Sequence, residues 1–238
     1  MALPFFYIDE YNTGQSSITL NEDNSRHVVQ VLRMKVGEHI NLTDGKGNLI
    51  TTEIVNDNKK ACEVKLSSVV NRQSTEKKVS IAISLIKNAS RFEWFLEKAT
   101  ELGVAEIIPL ICERTERQKF RYDRMLGICK SAMLQSMQTW LPELHEPVPL
   151  NEVVTTAEHK QKMIAHCAAD AKVEFSSLYT PSFGSHIILI GPEGDFSDKE
   201  IEKSRECDFI PVSLGATRLR TETAGIFAAS WANGANER

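Results

Sequence analysis

The sequence predicts an α/β protein in which a small N-terminal β-barrel precedes a C-terminal domain built on a parallel sheet. Up to residue 70 the chain has short runs rich in Val, Ile, Thr and aromatic residues, with tight turns between them. After residue 78, apolar runs alternate with helical patterns, which is typical of parallel strands covered by helices on both faces. The polar stretch 71–78 separates the two patterns, so we expect domains at 1–72 and 73–238.

Composition excludes several classes of protein. The 238-residue chain has a 25% charged fraction, the average for globular proteins, which excludes collagen-like, fibrous and disordered chains. Its net charge of −4 gives no bulk sign of nucleic-acid binding, although a local basic patch would be enough. The five cysteines form no CxxC pair, so we expect reduced thiols and no metal. Without a leader-like start or a long apolar run, the sequence predicts a cytoplasmic protein with no membrane association.

The first domain is predicted from four apolar runs and one helical stretch. Residues 44–47 (Asp-Gly-Lys-Gly) predict a hairpin turn between two of the strands. Residues 25–37 predict a helix that ends at Gly37. Its expected apolar face consists of Val28, Val31, Leu32 and Val36. The expected strands are 3–8, 39–44, 48–55 and 61–70.

The second domain alternates buried strands with helices that have recognisable ends. Ser90 and Glu93 predict a capping box at the start of one helix, and Gly103 predicts its end. Ser197 and Glu200 predict a second capping box, for a helix over 198–207. A last helix begins near Thr221 and is expected to bury Ala224, Phe227, Ala228 and Trp231. The expected strands are 79–86, 105–111, 163–167, 186–190 and 209–214.

A glycine-containing loop, residues 190–197 (IGPEGDFS), follows one of the buried strands. Gly191 and Gly194 flank Pro-Glu and predict a tight turn at the carboxyl end of a strand, where ligands bind in open α/β sheets. An ordinary strand–helix turn is the alternative. The chain has neither GxGxxG nor GKS/T, which argues against a phosphate loop and against a nucleotide-dependent oxidoreductase.

A second polar loop covers residues 213–224 and leads into the last helix. Leu219 lies between Arg218 and Arg220, a pattern that is hard to explain as core. Thr221 and Glu222 place polar groups at a helix N-terminus, where a carboxylate suits the helix dipole. A capped helix with a solvated arginine pair is the alternative. If the strands before the two loops are neighbours, both loops form one pocket rim.

Two further features are open to two interpretations each. Residues 113–130 carry six positive against three negative charges together with Phe120 and Tyr122, which fits an RNA footprint or equally a solvated helix face. His166 and Cys167 end a strand, and a lone histidine there is more often structural than catalytic.

The two loops, IGPEGDFS (190–197) and LGATRLRTETA (214–224), resemble the signature loops of the SPOUT RNA methyltransferases. Within that superfamily the chain is most similar to the 16S ribosomal RNA uridine-N3 methyltransferases. Residues 98–104 and the segment from His27 to Gly37 also resemble segments of that family. The match runs in the right order over nearly the whole chain.

The resemblance implies a PUA-like RNA-binding barrel followed by an α/β domain with a deep trefoil knot. It implies S-adenosylmethionine as cofactor, N3-methyluridine in 16S ribosomal RNA of the small subunit as product, and a homodimer. From the charge pattern and the two-domain organisation, we expect RNA contacts from Arg26, Arg33, Arg114, Arg117, Lys119 and Arg121. The implied cofactor-binding residues are His166, Ile190, Gly191, Pro192, Glu193, Gly194, Ser213, Leu214, Gly215, Leu219, Arg220, Thr221 and Thr223.

For such a reaction Arg220 and Glu222 are the candidate catalytic residues. The uracil N3 must lose its proton before it can attack a methyl group, and a permanent positive charge near the ring oxygens would favour the anion. Arg220 is the candidate for that charge, and Glu222 is either a base or a helix cap. The alternatives are a non-catalytic RNA-binding protein with a degenerate pocket and a SPOUT methyltransferase that acts on another RNA site.

Overall fold

The computed structural model describes residues 3–73, 78–116, 118–169 and 171–236, which divide into two compact units. The first unit consists of Met1–Ser74 together with Met133–Leu141, and the second of Thr75–Ala132 with Pro142–Arg238. The sequence pattern did not predict that residues 133–141 belong to the first unit. Their place there depends on tertiary contacts, described below.

The first unit is built on a five-stranded sheet. Its strands are β1 (Phe5–Tyr7), β2 (Ser17–Thr19), β3 (His39–Thr43), β4 (Asn48–Asn56) and β5 (Glu63–Asn71). Their order across the sheet is β1-β3-β4-β5-β2. β1 pairs with β3 in parallel, and the other pairs are antiparallel. β1 and β2 do not pair with each other within the described residues, and β2 was not predicted from the sequence.

One helical segment crosses the core of this unit. Helix α1 (Glu22–Arg26) begins at Asn21, whose side chain accepts the Asn24 backbone N–H at 2.9 Å, and a π-helical turn (His27–Val31) follows it directly. Alternate residues of β3 and β4 face the same core because strand side chains point to opposite faces in turn. The core includes Phe6, Val28, Ile40, Leu42, Ile50, Ile54 and Val64.

The predicted helix over 25–37 is wrong in its extent and in its apolar face. The helical segment runs from Glu22 to Val31, and Arg33 then adopts a left-handed conformation with φ of 57°. Val28 is fully buried, but Val31, Leu32 and Val36 are 65%, 41% and 57% exposed. The wide π turn, in which Leu32 donates to the His27 carbonyl, shifts the later side chains off the 3.6-residue face. Gly37 lies in a separate turn before β3.

The predicted hairpin turn at residues 44–47 is confirmed, and it carries an unexpected neighbour. Gly45 and Gly47 have positive φ angles of 71° and 90°. The Gly47 N–H donates to the Thr139 carbonyl at 2.8 Å, and the Leu141 N–H donates to the Gly45 carbonyl at 2.9 Å. A segment remote in sequence therefore pairs with the turn, and its close approach requires glycine at these positions.

The second unit confirms the predicted parallel sheet. Its eight strands are β6 (Lys78–Ser84), β7 (Glu106–Ile111), β8 (Glu143–Leu144), β9 (Val148–Pro149), β10 (Gln161–Ala165), β11 (Val173–Glu174), β12 (Ser185–Ile190) and β13 (Ile210–Ser213). They pair in the order β11-β13-β10-β12-β6-β7-β8, β9 also pairs with β7, and every pair is parallel. The five predicted strands correspond to β6, β7, β10, β12 and β13.

Six further α-helices and one 3₁₀ turn (Pro181–Phe183) complete the described chain. None of the described helices is long and apolar enough to cross a membrane. The helices are α2 (Ala89–Glu101), α3 (Tyr122–Gln135), α4 (Leu150–Thr156), α5 (Phe175–Leu178), α6 (Asp198–Glu206) and α7 (Thr221–Asn236).

Two details of the helices differ from prediction, and one agrees. The capping box of α6 at Ser197 and Glu200 is confirmed. The predicted capping box of α2 is wrong: Asn88 is the N-cap, and its side chain accepts the Ser90 N–H. Phe227 and Trp231 on α7 are 40% and 42% exposed rather than buried, because the stripe through Ala224 and Ala228 faces the core instead.

Glu106, the first residue of β7, accepts hydrogen bonds from several side chains. Its carboxylate lies 2.8 Å from His145 Nε2 and also bonds the Ser80 hydroxyl, while His159 Nε2 lies 3.5 Å away. Burial raises the pKa of Glu106, but the hydrogen bonds from His159 and Ser80 and the nearby His145 outweigh it and lower that pKa to about 2. Glu106 therefore stabilises the fold in its ionised form.

Glu106→Gln is expected to destabilise the protein in a pH-dependent way. The folded pKa of about 2 lies below the ordinary value of 4.5, so the contribution of Glu106 is present above pH 4.5 and is lost as the pH falls towards 2. We expect the variant to lose on the order of 3 kcal/mol of unfolding free energy at pH 7 and little at pH 2. Urea unfolding across this range tests it, with Glu143→Gln (73% exposed) as control. A pH-independent loss would contradict this account.

Candidate functional site

A cavity of about 500 Å³ lies at the carboxyl ends of three neighbouring strands in the second unit. The strands are β13, β10 and β12, in that order across the sheet. The residues that line it come from the loops after these strands and from the start of α7. They are Ala165, His166, Cys167, Lys172, Ile190, Gly191, Pro192, Glu193, Asp195, Val212, Ser213, Leu214, Gly215, Ala216, Thr217, Arg218, Leu219, Arg220, Thr221 and Ala224.

The two predicted loops share this cavity, although the reason expected for it is wrong. Their strands β12 and β13 are not neighbours, because β10 lies between them and pairs with both. The loop after β10 therefore forms the middle of the cavity wall, with His166 and Cys167. Motif spacing could not predict that the loop after β10 lines the cavity, because this loop has no glycine turn.

Most predicted cofactor-binding residues line the cavity. Gly194 and Thr223 do not. Prediction from the sequence missed several lining residues, among them Cys167, Lys172 and Asp195. Those that line it as predicted are His166, Ile190, Gly191, Pro192, Glu193, Ser213, Leu214, Gly215, Leu219, Arg220 and Thr221.

Gly191 allows the loop after β12 to approach the core and the last helix closely. A β-carbon placed on Gly191 would lie 3.0 Å from the buried Phe196 ring. The buried Thr221 hydroxyl donates to the Gly191 carbonyl at 2.9 Å and so joins α7 to the loop. A larger residue at 191 would press on Phe196, so it would distort the loop as well as narrow the cavity.

Asp195 holds the loop after β12 against the loop after β10. Its carboxylate accepts the Cys167 N–H at 2.8 Å and the Phe196 N–H at 2.9 Å. Its φ of 65° lies in the left-handed region, which an aspartate tolerates better than most residues. The Lys172 ammonium adds a bond to the His166 carbonyl at 3.2 Å. Polar side chains thus hold the walls of the cavity together.

The two candidate catalytic residues have different surroundings. Arg220 lines the cavity and is exposed, and its guanidinium has no recorded hydrogen bond or ion pair within the described chain. Glu222 is buried outside the cavity lining, and its carboxylate lies 3.7 Å from Arg91 Nε. Of the two roles considered for Glu222, this position favours the structural one.

In the basic stretch after β7, some cations are engaged within the protein and others are exposed. Arg114 Nη1 donates to the Gly194 carbonyl at 2.8 Å. Arg124 forms two hydrogen bonds with Glu93, which lower the pKa of that carboxyl. Lys119 and Arg121 are exposed. Arg117 lies outside the described residues.

Two further RNA-binding candidates belong to the first unit. Arg26 is exposed and forms an ion pair with Asp23 at 2.6 Å. Arg33 is exposed directly after the π-helical turn. No metal was expected, but Glu106, Glu143 and His145 have ligand atoms within 4.8 Å of one another. Glu106 begins β7, Glu143 begins β8 and His145 follows β8; none of the three lines the cavity.

Comparisons with known proteins agree with this architecture. A family model described as an RNA methyltransferase domain matches residues 73–233, and one described as an RNA methyltransferase PUA domain matches residues 20–67. A curated relative, ribosomal RNA small subunit methyltransferase E of Bacillus subtilis, is 28% identical over 90% of this chain and 88% of its own length.

Two solved structures superpose on nearly the whole chain. A protein from Porphyromonas gingivalis, described as a probable rRNA-methyltransferase, is 35% identical, with a TM-score of 0.91 over 99% of both chains. A protein from Legionella pneumophila, solved with bound S-adenosylmethionine, is 34% identical, with a TM-score of 0.85 over 99% of this chain and 98% of its own. The N-terminal unit is therefore a PUA-like domain, and the chain belongs to the RNA methyltransferase family that includes ribosomal RNA small subunit methyltransferase E.

Proposed function

We propose that this protein transfers the methyl group of S-adenosylmethionine to N3 of a uridine in 16S ribosomal RNA of the small subunit. The observation that carries the proposal is the cavity, which both signature loops line at the carboxyl ends of the sheet. Its volume of about 500 Å³ lies within the range of roughly 300–1,000 Å³ for small-molecule sites. The relative solved with S-adenosylmethionine supports the same cofactor.

The lining residues suit S-adenosylmethionine. Leu214, Leu219 and Ala224 offer apolar surface for an adenine ring, and the glycine-containing loops expose backbone donors and acceptors. We propose that loops 190–194 and 213–223 hold the cofactor mainly through these backbone groups. Gly194 and Thr223 then act by shaping the loops, since neither lines the cavity.

The chain's own residues would prepare the acceptor base. S-adenosylmethionine supplies an electrophilic methyl group when bound, so the main requirement is alignment of the acceptor nitrogen. The N3 edge of uridine is buried in a base pair, so the base must be unpaired or flipped out. Arg220 would then favour the deprotonated ring through its permanent charge.

We also propose the finer features that the family resemblance implies. These are a deep trefoil knot in the second unit, closure of the first-unit sheet into a barrel, a homodimer and assembly on the small ribosomal subunit in the cytoplasm. The sheet order β13-β10-β12 supports the trefoil knot, because the chain passes from β12 on one side of β10 to β13 on its other side. Sedimentation of the purified protein tests the dimer.

Thr221→Val is expected to weaken cofactor binding about tenfold. The substitution keeps the side-chain shape but removes the hydroxyl that donates to the Gly191 carbonyl, and a lost buried hydrogen bond costs on the order of 1 kcal/mol or more. Calorimetric titration with S-adenosylmethionine measures it. Thr155→Val on α4, whose hydroxyl bonds only its own helix, serves as control. If Thr221→Val and the wild type bound S-adenosylmethionine equally well, the Thr221–Gly191 hydrogen bond would not contribute to cofactor binding.

Mass spectrometry of ribosomal RNA from a deletion strain tests the reaction. Loss of one N3-methyluridine, restored by the purified protein with labelled S-adenosylmethionine, is the expected result. Binding of the cofactor without methyl transfer would favour a non-catalytic RNA-binding protein. Loss of a methyl mark at a different position would favour a methyltransferase for another RNA site.

Binding to RNA is expected to weaken steeply as salt rises. Lys119 and Arg121 are exposed cations of the stretch after β7, so Lys119→Ala combined with Arg121→Ala should reduce the salt slope by about one unit per lost phosphate contact. Arg114 is less suitable because it holds the Gly194 carbonyl. The same charge loss on α6, Lys199→Ala with Arg205→Ala, is the control. An unchanged slope in the first double variant would exclude these two residues from the RNA footprint.

A further inference from the structure

An exposed tryptophan on the first unit is held in a fixed orientation. Trp140 is 40% exposed, yet its indole N–H donates to the Arg72 carbonyl at 2.9 Å. Its backbone forms an antiparallel bridge with Lys46. Because Thr139 and Leu141 on either side pair with the hairpin turn, the whole segment is anchored.

The ring rests on the backbone of Gly47. A β-carbon placed on Gly47 would lie 2.5 Å from Cζ2 and 2.8 Å from Cε2 of Trp140. The indole nitrogen is the ring's one polar atom, and it is already bonded to Arg72. The exposed part of the ring is therefore apolar surface on a rigid support, which has a cost in water unless something covers it.

Two basic residues with exposed side chains contact Trp140 through their backbones. Lys46 is bridged to Trp140, Arg72 supplies the carbonyl that holds it, and both side chains are exposed. Among the described residues, the Arg72 guanidinium donates to the Met137 carbonyl at 3.4 Å. The carboxylate in the turn, Asp44, is buried and accepts hydrogen bonds from the Lys46 N–H and the Asn48 amide.

We propose that Trp140, with Lys46 and Arg72, is a stacking platform for an unpaired base of the RNA substrate. A rigid aromatic ring next to exposed basic residues is an arrangement that binds single-stranded nucleic acid, since the ring stacks a base and the cations meet the phosphates. The platform lies in the PUA-like unit and shares no residue with the cavity. This inference rests on the proposed RNA substrate.

Fluorescence of Trp140 tests the stacking directly. Trp94→Phe with Trp231→Phe leaves Trp140 as the only tryptophan of the chain. Titration with a ten-nucleotide oligouridylate is expected to quench its emission, whereas an abasic ribose-phosphate strand of equal length is expected to bind more weakly with little quenching. Equal quenching by both strands would overturn base stacking.

Affinity measurements complete the test. Trp140→Ala is expected to weaken oligouridylate binding about five- to hundredfold, and Trp140→Phe to retain most of it, since a phenyl ring still stacks. Lys46→Ala should reduce the salt slope by about one unit. Melting temperatures identify any variant that fails to fold. In that case the fluorescence titration decides whether Trp140 stacks a base, because it leaves Trp140, Lys46 and Arg72 unchanged.

Other outcomes separate this inference from the function itself. Unchanged RNA affinity in folded Trp140→Ala, while the wild type binds and methylates RNA, would overturn the platform and leave the methyltransferase intact. A change of oligomeric state in that variant without any change in RNA affinity would assign Trp140 to a protein contact instead. If the wild type neither bound nor methylated RNA, the proposed function would fail, and the platform with it.

Discussion

Arg220→Ala is expected to slow methyl transfer in a single turnover about 100- to 1,000-fold while affinity for S-adenosylmethionine stays nearly normal. Arg220 lines the cavity, and its guanidinium is not engaged by another described side chain. In the proposed mechanism the Arg220 charge stabilises the uracil anion, so its removal is expected to raise the barrier to methyl transfer without changing the fold. The Arg220 carbonyl, which accepts the Ala224 N–H at 2.8 Å, survives the substitution.

The single-turnover rate, the affinity for S-adenosylmethionine and the melting temperature, measured on the same variants, distinguish a catalytic from a structural Arg220. Arg220→Lys keeps the charge but loses the planar fork, so we expect partial recovery of the rate. Arg205→Ala removes an arginine from α6 and should leave the rate normal. If Arg220 only ordered the last helix, the melting temperature of Arg220→Ala would fall and activity would follow the folded fraction. A normal single-turnover rate would refute the catalytic role.

Gly47→Ala is expected to lower the unfolding free energy by about 3 kcal/mol or more. The new β-carbon would lie 2.5 Å from the Trp140 ring and 2.6 Å from the Arg72 carbonyl oxygen, and the backbone oxygen cannot move aside easily. Overpacking of this kind typically costs about 1–3 kcal/mol. The φ of 90° adds the strain of a left-handed non-glycine residue, of order 1–3 kcal/mol.

Gly37→Ala provides a matched control for that experiment. Gly37 has nearly the same φ, 91°, but a β-carbon there would meet no atom within 4 Å. The difference in unfolding free energy between the two variants therefore isolates the collision with the Trp140 ring and the Arg72 carbonyl. If chemical denaturation showed equal losses of unfolding free energy for the two variants, the 139–141 segment would be able to move away from the new β-carbon without destabilising the protein. A change in Trp140 emission would then report that movement.

Local sequence patterns were sufficient to predict the main strands and two of the loops that line the cavity. Hydrophobic periodicity located the five main strands of the parallel sheet, because buried parallel strands are continuous apolar runs. The glycines and polar residues of 190–197 and 213–224 identified two walls of the cavity. These signals are local, since turns and caps depend on residues within a few positions of each other.

Contacts between segments distant in sequence could not be predicted from local patterns and follow from the three-dimensional packing. The position of β10 between β12 and β13 brings His166 and Cys167 into the cavity. The pairing of residues 139–141 with the hairpin turn and the contact between Glu222 and Arg91 join positions about 90 and 130 residues apart. No periodicity encodes such pairs, because they follow from strand order and from which helix face packs inward. The exposure of Phe227 and Trp231 has the same origin: apolar spacing allowed either face of α7 to be buried, and packing selected the alanine stripe.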